Sequence, residues 1–580
     1  MPYDNVPGSV MQVATPPYLR LAQPPSWCLW AARLAVIALG GLQAWSTRRD
    51  MNPDGMSYLD LAYQYSQGEY AHAVNSYWSP FYSWILGGML VVIHPTSYWE
   101  FAVVHLTNFM IYAVALIAFT WMYREMMKTI CPETNLQSRR IGELFGISAF
   151  LVSSLSLITV GIVTPDMLVS VFVYCTFAIV ARLHRNSDSA IDWGALGVLI
   201  AFGYLAKAVM LPIGLLIVTA TMASQFAKSE SSRTRKKTLV LTGMTLCIAV
   251  AIAGPFVYGI SAKAGRFTTG DSGKLAYMFD VNKMPFDSYE ASLSRYRRVS
   301  LQHNIQPLDP RFASIVSTVS NDGCTYSPWC SPALWYSDVR LMFEPKMQLR
   351  AVVRNFANWA RIAGTSGVAL LLVTAISVLV TLPVKQLTGA SRRLVWCLIL
   401  PSVAALVMYT AIYVEERYVA PFLVVTLSLP FICRLAEIDK YLHSDAIRSW
   451  LVLATTACFL AVGGMELYKY SYDYGKGEHL EWQAAQRLGA IGVMPGDAIA
   501  QIGGRAEYSY WAHLAHVKIA AHSTTADELC TASTEDRIHL MNALSRANIH
   551  FLVGEPPCGI SYKQNCTPLG TQGLWACRIE

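Results

Sequence analysis

Charge is scarce in this chain. Only 14% of its 580 residues are Asp, Glu, Lys or Arg, against roughly 25% in soluble domains. That argues against a water-soluble globular protein. The 13 cysteines include no CxxC pair, which removes the usual zinc and thioredoxin-type motifs. Neither GxGxxG nor GxxxxGK[ST] occurs, so the signatures of dinucleotide and triphosphate binding are missing. "IGGR" (502–505) therefore reads as a strand-ending turn. The first 26 residues carry a single basic residue, Arg20, unlike the start of a secretory signal peptide. No internal repeat of helices stands out, as many transporters would show.

Long apolar runs are abundant. They predict eleven crossings at about 27–45, 101–123, 142–163, 167–183, 192–206, 208–227, 238–260, 366–384, 394–413, 417–433 and 449–468, each near the length needed to span a bilayer. Seventeen Lys and Arg residues, from Arg124 to Arg448, fall in loops on one side. The short loops opposite hold only Lys207 and Arg417. The positive-inside rule places the seventeen in the cytoplasm. The net charge of +7 then reflects topology and implies no nucleic-acid partner. Arg48 and Arg49, after the first helix, run against the rule.

This topology predicts a cytoplasmic tail (1–26), a transmembrane domain (27–468) and a C-terminal region (469–580), with the C-terminus outside. The outer side also receives loop 46–100, insert 261–360 and the turn "EER". In loop 46–100, Met56, Leu59 and Tyr63 recur at helical spacing, which suggests helices in the interface. In the C-terminal region "EWQAAQRLGAIGV" and "TEDRIHLMNALSR" read as helices. "DAIAQI", "AHVKIAAH" and "ANIHFLVG" read as strands, which together give a small α/β domain. An oxidising outer compartment permits disulfides. Cys324 and Cys330 are plausible partners, and three pairings are open among Cys530, Cys558, Cys566 and Cys577. "NCT" at Asn565 fits a glycosylation pattern.

The scarce charges collect at the outer helix ends. They are Asp54 and Asp60 after helix one, Asp166 in "TPDM", Lys207, and Glu415, Glu416 and Arg417. Each has a plain reading: Asp166 suits a helix cap, Lys207 suits snorkelling, and Glu415 can pair with Arg417. Charges at membrane depth are costly and tend to be functional or paired. Together they offer carboxylates for a proton or a metal, and cations for a phosphate. That chemistry suits transfer of a group from a lipid phosphate.

The stretches "NPDGMSYLDLA", "YWSPFYSWILGG", "VTPDMLVSVFVY", "GYLAKAVMLPIGLLIV" and "EERYVAPFLVVTLSLPF" resemble the GT-C class of integral membrane glycosyltransferases. The nearest groups in style are protein O-mannosyltransferases, aminoarabinose transferases and the bacterial RgtA/B/C/D-like group. The resemblance spans about 27–435 and lacks a WWDYG-like motif. It implies a polytopic all-α GT-C fold carrying the small α/β domain, in a bacterial inner membrane, with the active site extracytoplasmic. It also implies a polyprenyl-phosphate sugar donor, a lipid, polysaccharide or protein acceptor, and inversion at the anomeric carbon. Asp54 becomes the base, with Asp166 as a second catalytic carboxylate. Lys207 and Arg417, with Arg48 or Arg49, become phosphate ligands. Asp60, His72, Tyr58, Trp78, Glu415 and Glu416 are candidate substrate contacts. Some members use a divalent ion such as Mg or Mn, which Asp54 and Asp166 would hold here. The rival classes are a transporter or lipid flippase and a membrane receptor.

Overall fold

The computed structural model describes residues 26–229, 231–284, 306–320, 322–336, 341–381, 388–441, 445–474, 479–554, 566–570 and 573–579. The expected tail (except Ser26), Cys558 and Asn565 lie outside them. The first helices are α1 (Ser26–Ser46), α2 (Pro53–Ser66), α3 (Pro80–Ile93), α4 (Glu100–Ile130) and α5 (Leu136–Ile158). Then come α6 (Asp166–Arg185), α7 (Ala190–Ala206), α8 (Met210–Lys228) and α9 (Ser232–Ala264). After the insert follow α10 (Pro345–Gly364), α11 (Ser366–Thr381), α12 (Gly389–Ile412), α13 (Glu416–Tyr441) and α14 (Asp445–Tyr474).

Among the described residues eight helices are long and apolar enough to cross a membrane: α1, α4, α5, α6, α8, α9, α12 and α13. The other three expected crossings are helical as well. α7 has 17 residues, α11 has 16 and α14 has 30. α10 and the start of α11 meet at 85° and make a ninth span if they count as one. The β-branched run "LVSVFV" of α6 would favour a strand in water. Hydrocarbon leaves the backbone no partner but itself, so it coils.

Loop 46–100 forms helices, as its spacing predicts, but Met56 and Leu59 are buried in protein. α2 and α3 pack closely. A Cβ on Gly87 would stand 2.8 Å from the Ala62 carbonyl oxygen, so the contact needs glycine there.

The C-terminal region folds as expected, with one addition from the insert. Its helices are α15 (Leu480–Ala490), α16 (Tyr510–Leu514) and α17 (Thr534–Arg546). The sheet has seven strands, in the order β1-β2-β4-β3-β5-β7-β6. β1 (Gln306–Asp309) and β2 (Phe312–Ser317) come from the insert. β3 (Ala498–Ile502), β4 (Lys518–Ser523) and β5 (Ile549–Gly554) form a parallel centre, while β6 (Cys566–Pro568) and β7 (Trp575–Arg578) add an antiparallel edge. Alternation along the strands feeds two cores. Ile499, Phe551 and Val553 pack with Leu488 of α15. Ala500 and Leu552 pack with Leu540 and Leu544 of α17. The insert and the C-terminal region thus share one sheet, joined by β2 pairing with β4.

Candidate active site

Four helix ends converge at the sheet-domain end of the bundle. Asp54 lies in the first turn of α2, behind Pro53, a favoured first helical residue. Asn52 anchors that turn: it donates to the Val163 carbonyl (3.4 Å) and accepts from the Val163 N–H (2.8 Å). A Cβ on Gly55 would meet Val163 at 2.6 Å, so this approach also requires glycine. The Val163 loop carries Asp166. Upstream of it α5 winds as a π-helix over Val152–Ile158, a feature frequent at functional sites. Thr159 then leaves at φ 64°. Gln43 accepts from the Val160 N–H (2.7 Å) and Asn108 donates to the Val160 carbonyl (3.2 Å). Asp166 opens α6, where the helix dipole favours a carboxylate. Lys207 ends α7 in extended backbone, and Arg417 stands in the first turn of α13.

These four make one ion network. Lys207 donates to Asp166 (2.5 Å). Arg417 donates to Asp54 (2.9 Å) and lies 3.4 Å from the other Asp166 oxygen. Thr164 donates to Asp166 as well (2.9 Å). Tyr418 lies beneath both cations, 3.6 Å from Lys207 Nζ and 5.0 Å from the Arg417 guanidinium carbon. Burial lowers the Lys207 pKa although Asp166 opposes it. Burial, then Asp54 and Asp166, raise that of Tyr58.

The network lines a cavity of about 1010 Å³. Tyr58 and Trp78 line it too, as do Tyr77, Tyr409, Asp280, Lys283 and Trp329. Arg505 of "IGGR" reaches it from the sheet domain. Sequence reasoning missed Tyr418, Asp280 and Arg505. Tyr418 adjoins Arg417 and could have been inferred; Asp280 sits in a segment without a motif, and "IGGR" marks Arg505 only as part of a turn. Burial raises the Asp280 pKa to about 6, with Arg354 and Lys283 pulling against it and Glu415 adding to it.

Other expected site residues fall elsewhere. Asp60 faces away from the cavity, because six residues along a helix turn the side chain far around the axis. It accepts from Thr325 and pairs with His513 instead. Arg48 lies over Trp45 (4.3 Å) and donates to its carbonyl. Arg49 donates to the Tyr98 hydroxyl (3.2 Å). Neither lines the cavity, since the chain between α1 and α2 carries them outside it. His72 is exposed, and Lys263 donates to its carbonyl. Glu416 pairs with Arg361 (3.1 Å), while Glu415 lies 4.0 Å from Arg417. Cys324 and Cys330 form a disulfide, as do Cys566 and Cys577.

The residues that would hold a divalent ion are Asp54 and Asp166, which both line the cavity. Both carboxylates are already engaged by cations, and an ion between Asp54 and Asp166 would have to displace Arg417. Among the described residues the one group of three ligand atoms mutually close enough to share an ion is Asp60 with Cys324 and Cys330. Its two sulfurs are bonded to each other.

No protein-family model matches the sequence, and no curated protein matches it. Solved structures do. ArnT from Cupriavidus metallidurans bound to undecaprenyl phosphate aligns with TM-score 0.51 at 11% identity, over 95% of this chain and 98% of that one. The Archaeoglobus fulgidus oligosaccharyltransferase in complex with Zn and sulfate aligns with TM-score 0.51 at 12% identity, over 91% of this chain and 67% of that one. Identity this low speaks for the fold alone. The chain has the GT-C fold of integral membrane glycosyltransferases.

Proposed function

We propose that this protein is a membrane glycosyltransferase that moves a sugar from a polyprenyl-phosphate donor to an acceptor hydroxyl. One observation carries the reading: two acids and two cations from four helix ends line a single aromatic cavity at the end of an apolar bundle. The GT-C fold supports it, as does the undecaprenyl phosphate bound by the similar ArnT structure. A transporter would place such charges at mid-membrane between repeats.

In the proposed step Lys207 and Arg417 hold the donor phosphate, where charge develops as the sugar departs. Arginine suits two-point contact with phosphate oxygens. The acceptor oxygen attacks the anomeric carbon from the opposite face, and a new C–O bond forms. The old C–O bond breaks, with its electron pair going to the phosphate. Asp54 takes the acceptor proton. Arg417 donates to Asp54 at 2.9 Å, so a phosphate that draws Arg417 away leaves that carboxylate open to the acceptor hydroxyl. Asp166 keeps both cations in place. Tyr58 and Trp78 line the sugar and lipid path. The helices 27–468 form the transferase domain in this reading, with the site on the extracytoplasmic side of a bacterial inner membrane.

The test is transfer by purified protein from polyprenyl-phosphate sugars to candidate lipid, glycan and protein acceptors. Transfer by wild type is expected. Its absence with every donor overturns the proposal.

A further inference from the structure

Another face of α2, about 120° around the axis from Asp54, carries a second arrangement of charge. His513, on α16 of the sheet domain, sits between two carboxylates of the membrane domain. Its Nδ1 is 2.8 Å from Asp60 of α2, and its Nε2 is 2.6 Å from Glu100 at the start of α4. All three side chains are at most 6% exposed. Thr325 of the insert donates its N–H and its hydroxyl to Asp60 (2.8 and 2.9 Å). Tyr63 of α2 and His516 of the histidine's own segment complete the titratable surroundings, with ring centroids 5.5 and 6.4 Å from His513.

Three separate parts of the chain meet here: the membrane helices, the disulfide-closed loop of the insert and the C-terminal sheet. An imidazole between two carboxylates can satisfy both only as imidazolium, since the neutral ring has one donor. Burial alone lowers the His513 pKa, but Glu100 and Asp60 outweigh it and hold it at about 10. The joint therefore stays charged through the neutral range.

α2 links this joint to the cavity. Asp54 and Asp60 are roughly 9 Å apart along the helix axis. The same helix docks on the insert loop through Gln64, which donates to the Asp322 carbonyl (2.7 Å), and through Ser57, which donates to that of Trp329 (3.4 Å). Trp329 in turn lines the cavity.

We propose that His513 is a positioning residue: clamped by Asp60 and Glu100, it fixes the sheet domain onto α2 and so sets where Asp54 stands. The inference rests on the transferase reading for its catalytic consequence, but not for the joint itself. Displacing a reacting group by about 1 Å can cost on the order of 10²-fold in rate.

The experiment measures sugar transfer and thermal melting of full-length wild type, His513→Asn, His513→Lys and Glu100→Gln between pH 6 and pH 9. His513→Asn is expected to lower kcat by about 10²-fold while the donor KM stays within about twofold, because Lys207 and Arg417 are untouched. His513→Lys, which restores a cation, recovers part of that loss. Glu100→Gln is expected to match wild type at pH 6 and to lose activity towards pH 9, as a lone carboxylate retains the proton less well. Wild type is the reference at each pH, and the variant is read as its ratio to it. A wild-type kcat in His513→Asn overturns the proposal, as does a Glu100→Gln profile that overlays wild type. If wild type transfers no sugar, the transferase reading falls and melting still decides the joint. The Glu100→Gln midpoint must then drop relative to wild type between pH 6 and pH 9, and a constant offset overturns it.

Discussion

Replacing Arg417 by Gln separates what this residue does for folding from what the proposed transfer asks of it. Arg417 is 14% exposed and serves two acids, Asp54 at 2.9 Å and Asp166 at 3.4 Å. Removing one partner of a buried ion pair costs about 3–5 kcal/mol. The low end applies here for two reasons. Asp166, only 3% exposed, keeps Lys207 at 2.5 Å. Asp54, 21% exposed, opens onto the cavity and can be rehydrated. Arg417→Gln is thus predicted to cost about 3 kcal/mol of stability. Its effect on transfer is separate: loss of one preorganised donor at a developing anion costs about 10²–10³ in kcat. The double variant Asp54→Asn/Arg417→Gln removes the stranded charge. It should regain more than half of the lost stability but none of the lost activity. Melting in detergent and single-turnover transfer, run on wild type, Arg417→Gln, Asp54→Asn and the double variant, read the two effects. Activity within threefold of wild type in Arg417→Gln refutes the phosphate role. A double variant that melts below Arg417→Gln refutes the ion-network account.

Two further predictions concern the parts around the cavity. Replacing both Cys324 and Cys330 by Ser should destabilise the protein by about 2 kcal/mol on chain-entropy grounds. It should also slow transfer, because the loop they close supplies the carbonyls that receive Trp78 (3.3 Å) and Asn75 (2.8 Å); an unchanged melting midpoint and rate count against it. Glu481, on α15, accepts from the Trp511 N–H (2.9 Å) and is raised by burial from 4.5 to about 7. A carboxyl raised in the fold favours the neutral form there, so its contribution is complete below pH 4.5 and is lost as pH climbs through about 7. Glu481→Gln should therefore stabilise by at most about 3 kcal/mol at pH 8 and by nothing at pH 4, and equal effects at both pH values contradict that sign.

Much of this architecture is legible in the sequence, and the reason differs by element. The apolar runs give the helices because a bilayer forces any such run to coil. Asp54, Asp166, Lys207 and Arg417 could be grouped because the topology puts all four at one end, and the fold brings them into one network. Sidedness alone could not sort the remaining charges. Asp60 shares a helix with Asp54 yet serves another face, and its partner His513 lies 453 residues away. Nothing local marks either residue for the other. The same limit hid the sheet's extent, since β2 reaches β4 across some two hundred residues. Strand pairing at that separation leaves no periodic trace. Arg48 and Arg49 lie outside the cavity lining for a different reason: an anomaly in loop charge shows position relative to the membrane, not direction of the side chain.

The central claim is tested most directly by following one labelled sugar. Purified wild type and Asp54→Asn are given a polyprenyl-phosphate sugar and acceptor, and both labelled product and released polyprenyl phosphate are counted. The account predicts equal amounts of the two products from wild type, with inverted anomeric configuration. It predicts that Asp54→Asn binds the donor but falls by about 10²-fold or more in transfer. Wild-type transfer by Asp54→Asn, or retained configuration in the product, would contradict it.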